Sequence, residues 1–190
     1  YIKVIFIICY NEEVLLPHTI SHYRKNIPNA NITILDNYST DNSVEIAKTL
    51  GCNIKEWKSP KFNGLDDIEI MCIKNNCWKH IQSGWIIVCD MDEWLCITDE
   101  QLKQEMSQGT TIIYTRGVEM IGESKSISLE DICLHHITKY VDNERMSKRI
   151  CFSIPNINEI NYTPGAHNCI PSGKIQYSKQ GTETTALNTL

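Results

Sequence analysis

At 190 residues and 21.8 kDa the chain has the size of one domain and can bury a real core. Its 42% hydrophobic and 22% charged residues exclude global disorder. A net charge of −5 leaves no basic footprint, so nucleic acid is not expected as a principal ligand. The nine cysteines are odd in number and scattered, with no Cys-x-x-Cys pair. That pattern indicates a reducing compartment and no structural zinc. No apolar run approaches the ~18 residues of a membrane span, and there is no secretory signal. The expected location is cytoplasmic, or peripheral to a membrane. The chain opens on a strand without an initiator Met, as a piece trimmed from a longer protein would.

Residues 3–9 form a continuous apolar run, the pattern of a strand buried on both faces of a sheet. Tyr10, Asn11, Glu12 and Glu13 follow, then a helix to about residue 26, for which Asn11 suits the N-cap and the two glutamates suit the positive end. Residues 31–35 are a second strand, followed at once by Asp36 and a turn-rich loop. Asn42 and Glu45 resemble a capping box for a helix to residue 50, which Gly51 stops. Residues 53–57 are a third strand. Residues 66–82 read as a helix with an apolar stripe of Ile70, Ile73, Cys77 and Ile81; Lys74 lies off that stripe, where a lysine is usually solvated. This alternation predicts a parallel sheet wound with helices.

The next strand, residues 85–89, has no polar residue and stops at Asp90-Met91-Asp92-Glu93-Trp94. Asp90 and Asp92 are two apart, so in an extended segment they lean to one side. Paired carboxylates repel unless a cation or proton lies between them. Ligands of open α/β sheets bind beyond the carboxyl ends of the strands. An Asp-x-Asp here therefore asks for a divalent metal, although such acids also cap helices or simply face water. Right-handed crossovers bring Asp36 to the same edge, in a shared crevice. Further on, residues 98–107 read as a polar helix and 111–115 as a fifth strand. Residues 117–122 read as strand or loop near the site, 129–140 as a helix, 148–152 as a strand, 162–168 as a turn, and 174–177 as a final strand. The polar stretch 178–190 is expected to be poorly ordered.

Tyr10-Asn11-Glu12-Glu13, Asp36-Asn37-x-Ser39-x-Asp41, Lys74-Asn75 and Asp90-x-Asp92-Glu93 occur in this order, on these elements. Together they resemble the GT-A fold of family-2-like glycosyltransferases, in a subgroup with Asp-x-Asp-Glu-aromatic; the likeness is strong to about residue 97 and thin beyond. The resemblance implies an α/β fold with one Rossmann-like mixed sheet flanked by helices. A single domain would span 1–177, with a nucleotide-sugar half to about 97, an acceptor-facing half from about 98, and a tail at 178–190. It further implies a metal-dependent transfer from a UDP- or GDP-sugar donor to a glycan, lipid-linked or protein acceptor, with inversion, and Mn²⁺ or Mg²⁺ as cofactor. Tyr10, Asn11, Glu12, Asp36, Lys74 and Asp90 would bind the donor. Asp90, Asp92 and His167 would ligate the metal, with His135 and His136 as competitors for the histidine. An ordinary loop histidine is the equal alternative for His167. Asp131, in Glu130-Asp131, would be the general base, with Glu119 as the alternative. Trp94 is expected to pack as a lid over the strand end. The competing readings are a sugar-phosphate nucleotidylyltransferase, disfavoured because the loop after the first strand has no glycine, and a degenerate domain that binds nucleotide sugar without catalysis.

Overall fold

A computed structural model describes residues 1–58, 66–121 and 137–179, and the backbone of 182–186. Five strands form the central sheet in the order β3-β2-β1-β4-β8: β1 Lys3–Cys9, β2 Asn31–Asp36, β3 Asn53–Glu56, β4 Gly84–Asp90 and β8 Cys151–Ile154. The first four run parallel; β8 pairs antiparallel with β4. The apolar runs dictate this layout, because a strand with no polar face must be covered on both sides. Ile5, Ile7 and Cys9 face helix α1, Leu16–Asn26, while Val4, Phe6 and Ile8 face helix α3, Asp67–Asn76. Ile5 and Ile7 are fully buried, each contributing about 1.5–3 kcal/mol of transfer free energy. Gly84 has φ +110°, and a Cβ there would lie 2.1 Å from the Ile2 carbonyl oxygen, so β4 needs glycine to start beside β1.

Helix α2 is Ser43–Thr49 and α4 is Asp99–Ser107. A second sheet, in the order β5-β11-β6-β7, comprises β5 Glu93–Leu95, β6 Thr115–Met120, β7 Tyr140–Asp142 and β11 Thr182–Ala186. A short ribbon pairs β9 Ile157–Glu159 with β10 Ser172–Gly173. Helix α4 begins with a full capping box between Thr98 and Gln101.

Several expected boundaries move, each for a physical reason. Asn11 does not cap α1, whose first residue is Leu16; Asn11 sits at φ +56° and spends its side chain on another loop. Asn42 makes no side-chain cap; Asp41 Oδ1 accepts from the Ser43 amide at 2.9 Å instead. Helix α3 ends at Asn76 because the chain then turns Trp78 down to meet Phe152 edge-on, with ring centroids 5.1 Å apart. The strand expected at 111–115 lies instead at Thr115–Met120, as β6; over 111–115 Ile112 makes only single bridges to Phe152 and Tyr177. Residues 174–177 form no strand, whereas Thr182–Ala186, expected to be loose, pair with both β5 and β6. The helix expected over 129–140 falls largely outside the described residues, and Tyr140 belongs to β7.

Candidate active site

The register of the sheet places the acids. Asp36 pairs with Cys9 and Asp90 with Ile8, on either side of β1. Paired residues in a parallel sheet point the same way and successive residues alternate. Asp36 and Asp90 therefore share an edge but leave the sheet on opposite faces, with Tyr10 to Glu13 continuing from the strand between them.

On the Asp36 face, two loops are tied together. Asp36 is 2% exposed, and its carboxylate accepts from the hydroxyl of Ser39 at 2.6 Å and from its amide. Asn11 Oδ1 accepts from the Thr40 amide at 2.8 Å, and Asp41 Oδ2 from the Glu13 amide at 3.0 Å. Ser43 Oγ accepts from the Glu12 amide, and Glu13 Oε2 from both nitrogens of Asn42. The sequence motifs after β1 and β2 are thus reciprocal partners. Burial alone would raise the Asp41 pKa, but its bonds from Ser43 and Glu13 hold it below the ordinary value.

On the other face the strand end is built from charge. Lys74, from α3, is 1% exposed and its Nζ lies 2.6 Å from Asp90 Oδ1. Lys148, 5% exposed at its side chain, contacts Asp90 Oδ2 at 3.4 Å and pairs with Glu93 Oε1. Glu93 is itself buried, and its Oε2 accepts from the Asp90 amide at 3.1 Å. Burial would push Asp90 up, but the two lysines overcome it and hold its carboxyl below the ordinary range. At Asp92 the compensation from its own amide and from Lys148 is outweighed. Burial first, then repulsion from Glu93 and Asp90, raises it to about 6. Glu12 rises to about 7 through burial and repulsion from Asp92, Asp41 and Asp90. Glu12 is therefore the acid that feels Asp92.

Helix α1 holds this turn from below. Thr19 Oγ1 donates to the Met91 carbonyl at 2.7 Å, His22 Nε2 to the Leu95 carbonyl at 3.0 Å, and the Tyr23 hydroxyl to the Glu93 carbonyl at 3.0 Å. Positions 19, 22 and 23 share one face of a helix. Trp94 is 4% exposed, stacks on His22 at 4.8 Å and donates to Thr19, so it is a lid over the strand end.

The remaining expected residues are placed as follows. Tyr10 is half-buried at the end of β1. Glu119 lies in β6, half-buried, and accepts from Asn143 at 3.1 Å. Asp131, with Glu130, His135 and His136, lies outside the described residues. His167 follows a short 3-10 turn, Pro164–Ala166, and lines a cavity of about 480 Å³ with Glu144, Arg145, Thr163, Pro164 and Asn168. Its Nδ1 is 2.9 Å from the Arg145 carbonyl. A carbonyl only accepts, so Nδ1 is the donor of this bond. Among the described residues, no three His, Cys, Asp or Glu side chains are gathered as a metal group. Asp90, Asp92 and His167 are thus not gathered as one such group: the Asp90 oxygens face Lys74 and Lys148, and His167 lines the cavity with Glu144 and Arg145. Neither Lys148 nor the Thr19–His22–Tyr23 face was singled out in the sequence; polar residues at helical spacing along an otherwise apolar face were the available signal for the latter.

The parallel sheet with an acid-lined carboxyl edge is of the GT-A class. Residues 4–67 match the family described as Glycosyl transferase family 2. A 50-residue stretch is 36% identical to protein RfbJ of Shigella flexneri, covering 26% of this chain and 39% of that one. The fold is similar to that of S. aureus TarS, with TM-score 0.59 at 15% identity over 98% of this chain and 37% of TarS. It is similar also to TarS 1-349 in complex with UDP-GlcNAc, with TM-score 0.57 at 13% identity over 98% of this chain and 58% of that one. The matched regions thus span less than two thirds of these proteins' lengths. No helix among the described residues is long and apolar enough to cross a membrane.

Proposed function

We propose that the chain is a metal-dependent glycosyltransferase that moves a sugar from a nucleotide-diphosphate sugar to an acceptor hydroxyl, with inversion. The observation that carries this reading is the pair of acids Glu12 and Asp92, neither ion-paired, at the carboxyl edge of the sheet, beside a lysine-neutralised Asp90. Two repelling carboxylates with hard oxygen donors fit Mg²⁺ or Mn²⁺, which take one or two carboxylates and complete their shell with water and substrate phosphates. Asp92 would hold the ion, which supplies Lewis-acid neutralisation of the departing diphosphate. Tyr10 and the loop ordered by Asp36 and Ser39 form the nucleobase side, and Asp90 faces the ribose. A carboxylate must take the acceptor's proton as the new bond forms. Asp131 is the proposed base, with Glu119 as the alternative. The similarity to TarS 1-349, solved with UDP-GlcNAc, makes a UDP-sugar the first donor to try.

The test is a thermal-shift panel of UDP- and GDP-sugars with and without Mn²⁺. At a hundredfold excess over Kd one donor should raise Tm by about 5–10 °C, only with metal. Asp92→Asn should abolish the gain. No stabilisation by any donor would overturn the proposal, and binding without transfer or donor hydrolysis would support the non-catalytic alternative.

A further inference from the structure

We infer that Lys148 is a positioning residue of the donor site, acting through Glu93 and Asp90. The inference rests on the proposed function but concerns a residue that belongs to none of the motifs. Lys148 enters from the far half of the chain, where residues 143–147 pack on β6. Gly117 makes that approach possible, since a Cβ there would lie 2.3 Å from the Met146 carbonyl carbon. The Ser147 hydroxyl fixes the segment by accepting from the Gly117 amide at 2.9 Å.

From there Lys148 reaches both carboxylates that flank the Asp90–Glu93 turn. Glu93 relays the contact to the backbone through the Asp90 amide. Lys74 holds the other oxygen of Asp90. Two ammonium groups thus balance two carboxylates, and among the described residues Asp92 and Glu12 are the acids at this turn that form no ion pair with them. One dication matches that remainder. The lysines keep Asp90 and Glu93 from competing for the ion, so that Asp92 presents it to the diphosphate. A lysine in this place therefore selects which carboxylate is free, a role distinct from merely filling a buried position.

The test uses Lys148→Met, Lys148→Arg and the double variant Lys148→Met/Glu93→Gln. The double variant leaves no lone buried charge, so it folds even where the single variant does not. Free Mn²⁺ is read by electron paramagnetic resonance at low temperature, and UDP binding with Mn²⁺ by calorimetry. Lys148→Met should bind Mn²⁺ alone about tenfold more tightly and UDP with Mn²⁺ about tenfold more weakly, the scale of changes beside a metal ligand. Lys148→Arg should restore both. The double variant should bind Mn²⁺ alone less tightly than Lys148→Met, yet keep weakened UDP binding because Asp90 still lacks its second amine. A merely structural lysine would lower Tm and leave both affinities of the folded protein unchanged, and that result overturns the inference. GDP replaces UDP if the unaltered chain binds only GDP; if it binds neither with Mn²⁺, the proposed function fails separately, while the Mn²⁺ readout still tests Lys148.

Discussion

Glu12 and Asp92 carry carboxyls raised to about 7 and about 6 by burial first, then by Asp92, Asp41 and Asp90 in the case of Glu12 and by Glu93 and Asp90 in the case of Asp92. A carboxylate whose folded pKa exceeds its unfolded value opposes folding once ionised. That destabilisation is absent below the unfolded pKa, near 4, grows as pH rises through the interval, and is complete above the folded pKa. Metal-free protein should therefore gain stability as pH falls from 8 to 5. Glu12→Gln and Asp92→Asn should each stabilise it at pH 8 by about 1 kcal/mol, the worth of roughly one pKa unit, and by much less at pH 5. Asp99 shows the opposite sign. Burial would raise it, but bonds from Lys103, Lys3 and Tyr1 hold it well below the ordinary carboxylate range. Its stabilisation is present above the unfolded pKa and is lost as pH falls through the folded one. Asp99→Asn should lower the denaturation midpoint at pH 7, and the gap to wild type should narrow below pH ~4. A gap independent of pH would mean the ion pairs contribute nothing.

The loop–loop clamp shows what local reading captures and what it misses. Asn11, Asp36, Ser39 and Asp41 stand out as turn and cap residues because short polar side chains compete for nearby backbone groups. Local rules cannot say that Asn11 bonds the loop 29 residues away rather than its own helix. The same limit hides Lys148, whose partners lie 55 and 58 residues earlier in the chain. It also made Lys74 look solvated, because Asp90 reaches it only once α3 folds over the sheet. Strands β2 and β4 were legible because each run ends in an acid, Asp36 or Asp90, and β1 because its apolar run stops at Tyr10-Asn11. Asn11 provides a test of the clamp. Asn11→Gly keeps the left-handed backbone but loses the acceptor for Thr40, which should lower stability by about 1 kcal/mol. Asn11→Ala loses both and should fall further, since alanine is strained at positive φ. Equal midpoints for the two variants in urea would show that the backbone position is not a constraint.

Across the molecule, the first half is fixed by local periodicity and the second by long-range pairing, which is why the expected elements are present in order to about residue 107, with only their ends shifted, and then differ in place and type. The second sheet is assembled from strands drawn from four separate regions, and its order β5-β11-β6-β7 has no sequence neighbours side by side except β6 and β7. Strand β5 follows directly from the acidic turn, and its recorded ladder is with β11. Strand β11, in turn, joins β5 to β6, so that the carboxyl-terminal segment bridges the donor edge to the strand bearing Glu119. Removing residues 179–190 would leave facing edges of β5 and β6 with unpaired amides and carbonyls. If that ladder holds the two halves together, the truncated chain should lose about 2–3 kcal/mol, a Tm drop of about 5–10 °C for a chain of this size. Amide exchange should quicken along Thr115–Met120 and Glu93–Leu95 more than along β1, whose ladders lie wholly in the other sheet. Unchanged protection in β5 and β6 after truncation would show that those strands are held by their flanking packing alone.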